Sequence, residues 1–128
     1  MAANTVTGGI LQVIYLLARM TLEILGLAAI AYWGWRIGGE GLQRIAVVAT
    51  LLVLTMALWG IFRVPNDPGP APVAVPGILR LGLEVVLFGF AAWTLFDADA
   101  LRMGWGFAAL VILHYLISLP RILWLVKQ

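Results

Sequence analysis

Arg19 and Glu23 stand one helical turn apart inside a stretch that is otherwise almost free of charge, and Arg80 and Glu84 repeat that arrangement in a second such stretch. In full, Arg19-Met20-Thr21-Leu22-Glu23 returns as Arg80-Leu81-Gly82-Leu83-Glu84. A guanidinium and a carboxylate in a segment of membrane-grade hydrophobicity are costly unless each finds a partner. Two chemistries fit the pattern. The static one cross-pairs Arg19 with Glu84 and Arg80 with Glu23, which neutralises all four charges and sets the register of the helices. The other is a proton or cation relay, in which Glu84 or Glu23 titrates and His114, the single histidine, assists. An Arg beside each Glu favours the static reading, because a carriage carboxylate works best when isolated.

Two further stripes belong with these residues. His114, Ser118 and Arg121 fall at i, i+4 and i+7 of a continuous helix, and Thr55, Trp59 and Arg63 at i, i+4 and i+8 of another. The expected intramembrane polar layer is therefore Arg19, Glu23, Thr55, Trp59, Arg80, Glu84, His114, Ser118 and Arg121, facing inward from all helices at one depth. No catalytic residue and no metal ligand set is expected. A single His without Cys offers one strong axial ligand, so no cofactor is expected either. Phosphate loops, nucleophile triads and zinc motifs do not occur in the sequence.

The elements that must hold these side chains follow from composition. Of 128 residues, 63% are hydrophobic and 11% charged, with a mean hydropathy of +1.04. A soluble domain this small keeps much of its chain in water and has no use for so much apolar surface. A spanning helix takes about 20 apolar residues, so the chain is expected to be all-α: an integral membrane four-helix bundle in a single transmembrane domain. The spans are expected at about 10–35, 43–62, 78–96 and 103–124. Period-2 alternation is absent and the apolar runs are too long for strands, which excludes a barrel. The first apolar segment carries no small-x-small cleavage pattern and is expected to be a retained span.

The connections divide the chain in two. Arg-Ile-Gly-Gly-Glu-Gly at 36–41 is a tight helix–helix turn, and 97–102 is a second, with Asp97 and Asp99 as expected N-caps of the fourth helix. Residues 64–77 hold five of the six prolines and read as a stiff, extended strap outside the bilayer. Two helical hairpins joined by a strap return to the same side, so an internal duplication places them about an axis along the membrane normal. At the offset of the Arg–Glu echo, Ala31 also matches Ala92 and Tyr32 matches Trp93. The basic residues border the strap side slightly more heavily, which favours both termini in the cytoplasm. Lys and Arg form no run, so nucleic acid is not an expected partner. The expected partners are the lipid bilayer and other membrane subunits or further copies of the chain.

The residue pattern also resembles a known family. Arg19-x-x-x-Glu23, Tyr32-Trp33-Gly34-Trp35, Leu58-Trp59-Gly60-x-Phe62-x-x-Pro65, Pro76-x-x-x-Arg80-Leu81-x-Leu83-Glu84 and Phe88-Gly89 together are similar to the YrdB-like family of small bacterial membrane proteins. The resemblance implies a four-span protein of the bacterial inner membrane and supplies no catalytic residue. The strap departs from the family pattern by lacking basic residues after Pro65. The expectation is a non-enzymatic scaffold or accessory subunit of a membrane complex, with a small oligomeric proton-coupled transporter or channel as the alternative.

Overall fold

The first apolar run contains no proline and stays helical until glycines permit a turn. In a computed structural model, which describes residues 2–67 and 69–128 and side chains from Gly8 onward, it forms α1 (Ala2–Ile37). The turn at Gly39, with φ +86°, reverses the chain into α2 (Gly41–Ile61). Two short strands follow, β1 (Phe62–Arg63) and β2 (Val73–Ala74), and then α3 (Gly77–Asp97), α4 (Leu101–Ile117) and α5 (Leu119–Leu125). Met1, and Pro68 of the expected strap, lie outside the described residues.

By length and composition α1, α2 and α3 can each cross a membrane. The fourth span differs from expectation. In place of one helix over 103–124, α4 and α5 meet at a 71° bend and make a fourth span only if taken as one broken unit. The cause is Pro120, in the first turn of α5. It has no N–H to donate back to the Leu116 carbonyl, and its ring would clash with that carbonyl in a continuous helix, whereas the first turn of a new helix accepts it. The last bond of α4 runs from the Ser118 N–H to the His114 carbonyl (2.9 Å), and α5 restarts with the Ile122 N–H on the Ser118 carbonyl (3.1 Å). The expected caps of α4 differ too. Asp97 closes α3, Asp99 takes φ +58°, and Ala100 stands at the α4 N-cap without a side-chain bond. Asp97 instead accepts the Trp33 indole N–H at 2.7 Å, tying α1 to α3 at the end away from the strap.

α1 and α3 pack against each other in the centre, with α2 laid on α1 and α4 on α3. Their shared core is Leu22, Ala29 and Ile30 of α1, Phe88, Ala91 and Leu95 of α3, and Phe107 of α4. Lipid tails are as apolar as these side chains, so close approach of small residues does the joining. Gly34 illustrates it: a Cβ there would stand 2.9 Å from Leu51 Cδ1 of α2. α2 buries none of its residues and presents its apolar surface outward.

The strap is folded and not merely extended. β1 pairs in parallel with β2, Phe62 opposite Val73 and Arg63 opposite Ala74. The Asn66 N–H bonds the Gly69 carbonyl (2.9 Å) in a turn that gives Asn66 a φ of +68° and Gly69 one of +91°. This turn buries Val64 and Asp67 against the bundle. At its far end Gly77 starts α3 directly under the C-terminus of α5, where a Cβ would meet the Leu125 carbonyl oxygen at 1.6 Å. Only glycine fits there, and the contact holds α5 in the position that brings Arg121 back to the bundle.

Candidate functional site

Glu84, 1% exposed on α3, is the centre of the polar layer. Helical spacing puts it one turn beyond Arg80, whose Nε lies 3.6 Å from Glu84 Oε1. α1 delivers Arg19, with Nη2 3.2 Å from the same oxygen. The bend after Ser118 delivers Arg121, which donates from Nη2 to Oε1 (2.9 Å) and from Nη1 to Oε2 (3.2 Å). The Tyr115 hydroxyl of α4 donates to Oε2 at 3.3 Å. One carboxylate thus collects three guanidinium groups and a phenol.

Asp67 of the strap is the second anion, and the sequence reading missed it. Arg121 grips it in the two-pronged geometry that suits a guanidinium to a carboxylate, Nε to Oδ1 at 2.9 Å and Nη2 to Oδ2 at 2.6 Å. Arg19 Nη1 lies 3.6 Å from Asp67 Oδ1, and Arg63 donates to the Asp67 carbonyl at 3.1 Å. Arg121 is therefore a clasp between strap and α3. One signal for Asp67 was present in the charges. Arg19, Arg80 and Arg121 face only Glu23 and Glu84 in the apolar segments, so a third acid was owed, and Asp67 is the acid of the strap.

The expected cross-pairing holds on one side only. Arg19 meets Glu84, but Arg80 turns away from Glu23. Its Nη1 donates to the Trp59 and Phe62 carbonyls, 2.6 Å each, and its guanidinium carbon lies 5.2 Å from the Trp59 ring centroid. Those carbonyls are at the C-terminal end of α2, where the helix has no N–H of its own to offer and where a cation is favoured. Glu23 pairs with Arg19 on its own helix (3.4 Å) and accepts the Trp59 indole N–H.

The remaining expected members lie at the edge. The Thr55 hydroxyl donates to the Leu51 carbonyl of its own helix at 2.8 Å and takes no part in the layer. His114 is buried, with its ring edge-on to Tyr115 at 5.7 Å between centroids; it makes no hydrogen bond to Glu23, Glu84 or Thr55 among the described residues. Ser118 is buried with its hydroxyl unpartnered. His114, Ser118 and Arg121 do share one wall, but through the bend and not through a single helical face. Among the described residues no group of three or more His, Asp or Glu is placed to hold a metal ion.

Apolar helices of spanning length around a closed ionic layer define a helical membrane protein. Residues 17–112 match the family described as "Protein of unknown function (DUF2568)". The chain is also 36% identical over 116 residues to the "Uncharacterized protein YrdB" of Bacillus subtilis (strain 168), across 88% of this chain and 94% of that protein. The chain belongs to this YrdB-like family. No solved structure matches it.

Proposed function

We propose that the chain is a non-enzymatic scaffold or accessory subunit of a larger membrane complex, in the bacterial cytoplasmic membrane with both termini on the cytoplasmic side. In this reading the ionic layer is a lock. The observation that carries it is the filling of Glu84 by three guanidinium groups and the Tyr115 hydroxyl. A relay needs a carboxylate open to an arriving proton, and Glu84 already accepts three hydrogen bonds, from Tyr115 and Arg121, with the Arg19 and Arg80 guanidinium groups beside it. Such an arrangement suits a rigid body that other subunits can pack on, and α2 offers an outward apolar face for them or for further copies. The Arg–Glu echo fits the duplication of one hairpin, after which the two copies took different partners.

The test is to isolate the tagged chain from its own membrane in nanodiscs. Membrane subunits that co-purify in constant ratio, and still do so with His114→Gln, are the expected result. The opposing result is specific to a proton-coupled transporter. It is a substrate-dependent pH change in proteoliposomes that the chain supports alone, and that disappears in folded His114→Gln because Gln cannot gain and lose a proton near neutral pH.

A further inference from the structure

A cleft of about 420 Å³ opens beside the ionic layer, between α1, the strap and the α4–α5 bend. Most of its wall surface is apolar, from Leu11, Leu16, Pro120 and Trp124 with the Tyr15 ring, and Gln12, Asn66 and the members of the layer supply the polar part. The charges along it are already matched. Arg19 directs its three nitrogens at Glu23, Asp67 and Glu84, and Arg121 directs its three at Asp67 and Glu84. These are the two arginines that line the cleft, and each of their nitrogens is already on an acid, so an anionic ligand would have to displace a carboxylate. The uncharged polar groups of the lining are Gln12, Tyr15, Asn66, His114 and Ser118; among them Ser118 is the buried hydroxyl without a partner, 3% exposed, and His114 lies one turn before it on the same wall. A buried hydroxyl without a bond is costly, and a Ser hydroxyl swings on a single torsion to whatever acceptor comes near.

We propose that this cleft binds the neutral, planar, carbonyl-bearing head of a membrane-dissolved molecule of the quinone class, with Ser118 and His114 as the groups that meet its carbonyl oxygen. Size supports the choice of a ring. An apolar cavity of about 150 Å³ holds one benzene, so 420 Å³ takes a substituted ring and the first part of one tail, and is too small for a lipid with two acyl chains. The aromatic side chains of Tyr15 and Trp124 suit the flat faces of such a head. An apolar pocket with a few convergent polar groups is the usual form of a small-molecule site. The proposal concerns binding alone and does not depend on whether the protein serves as a scaffold.

The test uses the full chain in nanodiscs and two probes, decylubiquinone and dioleoylglycerol, with binding followed by tryptophan quenching for the first and by native mass spectrometry for both. Decylubiquinone is expected to bind saturably at one site. Ser118→Ala should weaken it by about tenfold, the loss of one hydrogen bond, and should leave the melting temperature unchanged because the hydroxyl holds nothing in the fold. Gly8→Trp is the second variant. Gly8 lines the cleft and a Cβ there meets nothing within 4 Å, so an indole has room at the cleft and should abolish binding without disturbing the bundle. Dioleoylglycerol should show no saturable binding. The proposal is overturned by any of three results: no saturable quinone binding, quinone binding indifferent to both variants, or dioleoylglycerol bound at the same site as tightly as the quinone.

Discussion

The two Arg-x-x-x-Glu turns carry the same side chains at the same spacing and live in different surroundings. Around Glu84 the neighbours converge: α1 sends Arg19, α4 sends Tyr115 and α5 sends Arg121. Glu23 pairs with its own Arg19 and accepts the Trp59 indole N–H of α2, and its side chain keeps 26% of its surface exposed. The arginines differ in the same way. Arg80 is spent on the carbonyls at the end of α2, and Arg19 is shared among three acids. The pair on α3 is therefore an organising centre and the pair on α1 a supplier to it. What separates them is the second hairpin's bend and the strap, which give Glu84 a clasp that Glu23 has no equivalent of.

The largest effect is expected at Glu84. Glu84→Ala leaves Arg19, Arg80 and Arg121 crowded around an absent anion, and removing one partner of a buried pair costs roughly 3–5 kcal/mol. The protein should express poorly or lose its melting transition in detergent. Unchanged melting would remove the distinction between the two turns altogether.

Asp67 comes next. Asp67→Ala frees one side of the Arg121 clasp while Glu84 still holds the other, so the loss should be smaller, about 2–3 kcal/mol. Its signature is local. Protease cleavage between Val64 and Val75 should rise well before the helices unfold, because the turn at Asn66–Gly69 is anchored to the bundle through Asp67. Cleavage no faster than wild type would mean that the β1–β2 pairing holds the strap without the clasp.

At Glu23 the same deletion should be mild. Glu23→Ala removes one bond from Trp59 and one of three contacts from Arg19, in a partly exposed position, for about 1 kcal/mol. Thermal unfolding of Glu84→Ala and Glu23→Ala side by side measures the asymmetry directly, and equal losses would refute it.

Charge in an apolar run is the most legible signal a membrane sequence offers; it singled out Arg19, Glu23, Arg80, Glu84 and Arg121, whose side chains lie in one cluster in the structure. The all-α architecture was legible for a similar reason, since no other backbone satisfies itself over such apolar lengths. Asp67 was hidden because a proline-rich stretch reads as solvated, and local composition does not reveal that a turn at Asn66 and Gly69 folds it inward. Tyr115 was hidden beside His114, where a spacing argument picks the more reactive residue and geometry picks the other. Pro120 was read as lying inside a single span over 103–124, and the 71° direction taken there goes with Gly77 admitting the Leu125 carbonyl, a contact between residues far apart in the chain.

Thr55 is the sharpest small test of that limit. It lies one turn before Trp59 on α2, and spacing alone assigns it to the layer. In the structure its hydroxyl is closed on the Leu51 carbonyl of its own helix, the usual resting place of a threonine in an apolar helix. Thr55 borders a separate, mostly apolar cavity of about 150 Å³ with Glu23, Trp59 and Phe88, so a methyl in place of the hydroxyl meets a compatible wall. The Leu51 carbonyl keeps its helical partner when the side-chain bond is lost, which leaves no orphaned acceptor. Thr55→Val should therefore change stability by less than about 0.5 kcal/mol, the range of substitutions that touch no special feature. A loss near that of Glu23→Ala would mean that Thr55 supports the Glu23–Trp59 contact through the cavity. The turn on α1 would then have a third member, and the contrast with α3 would be one of degree.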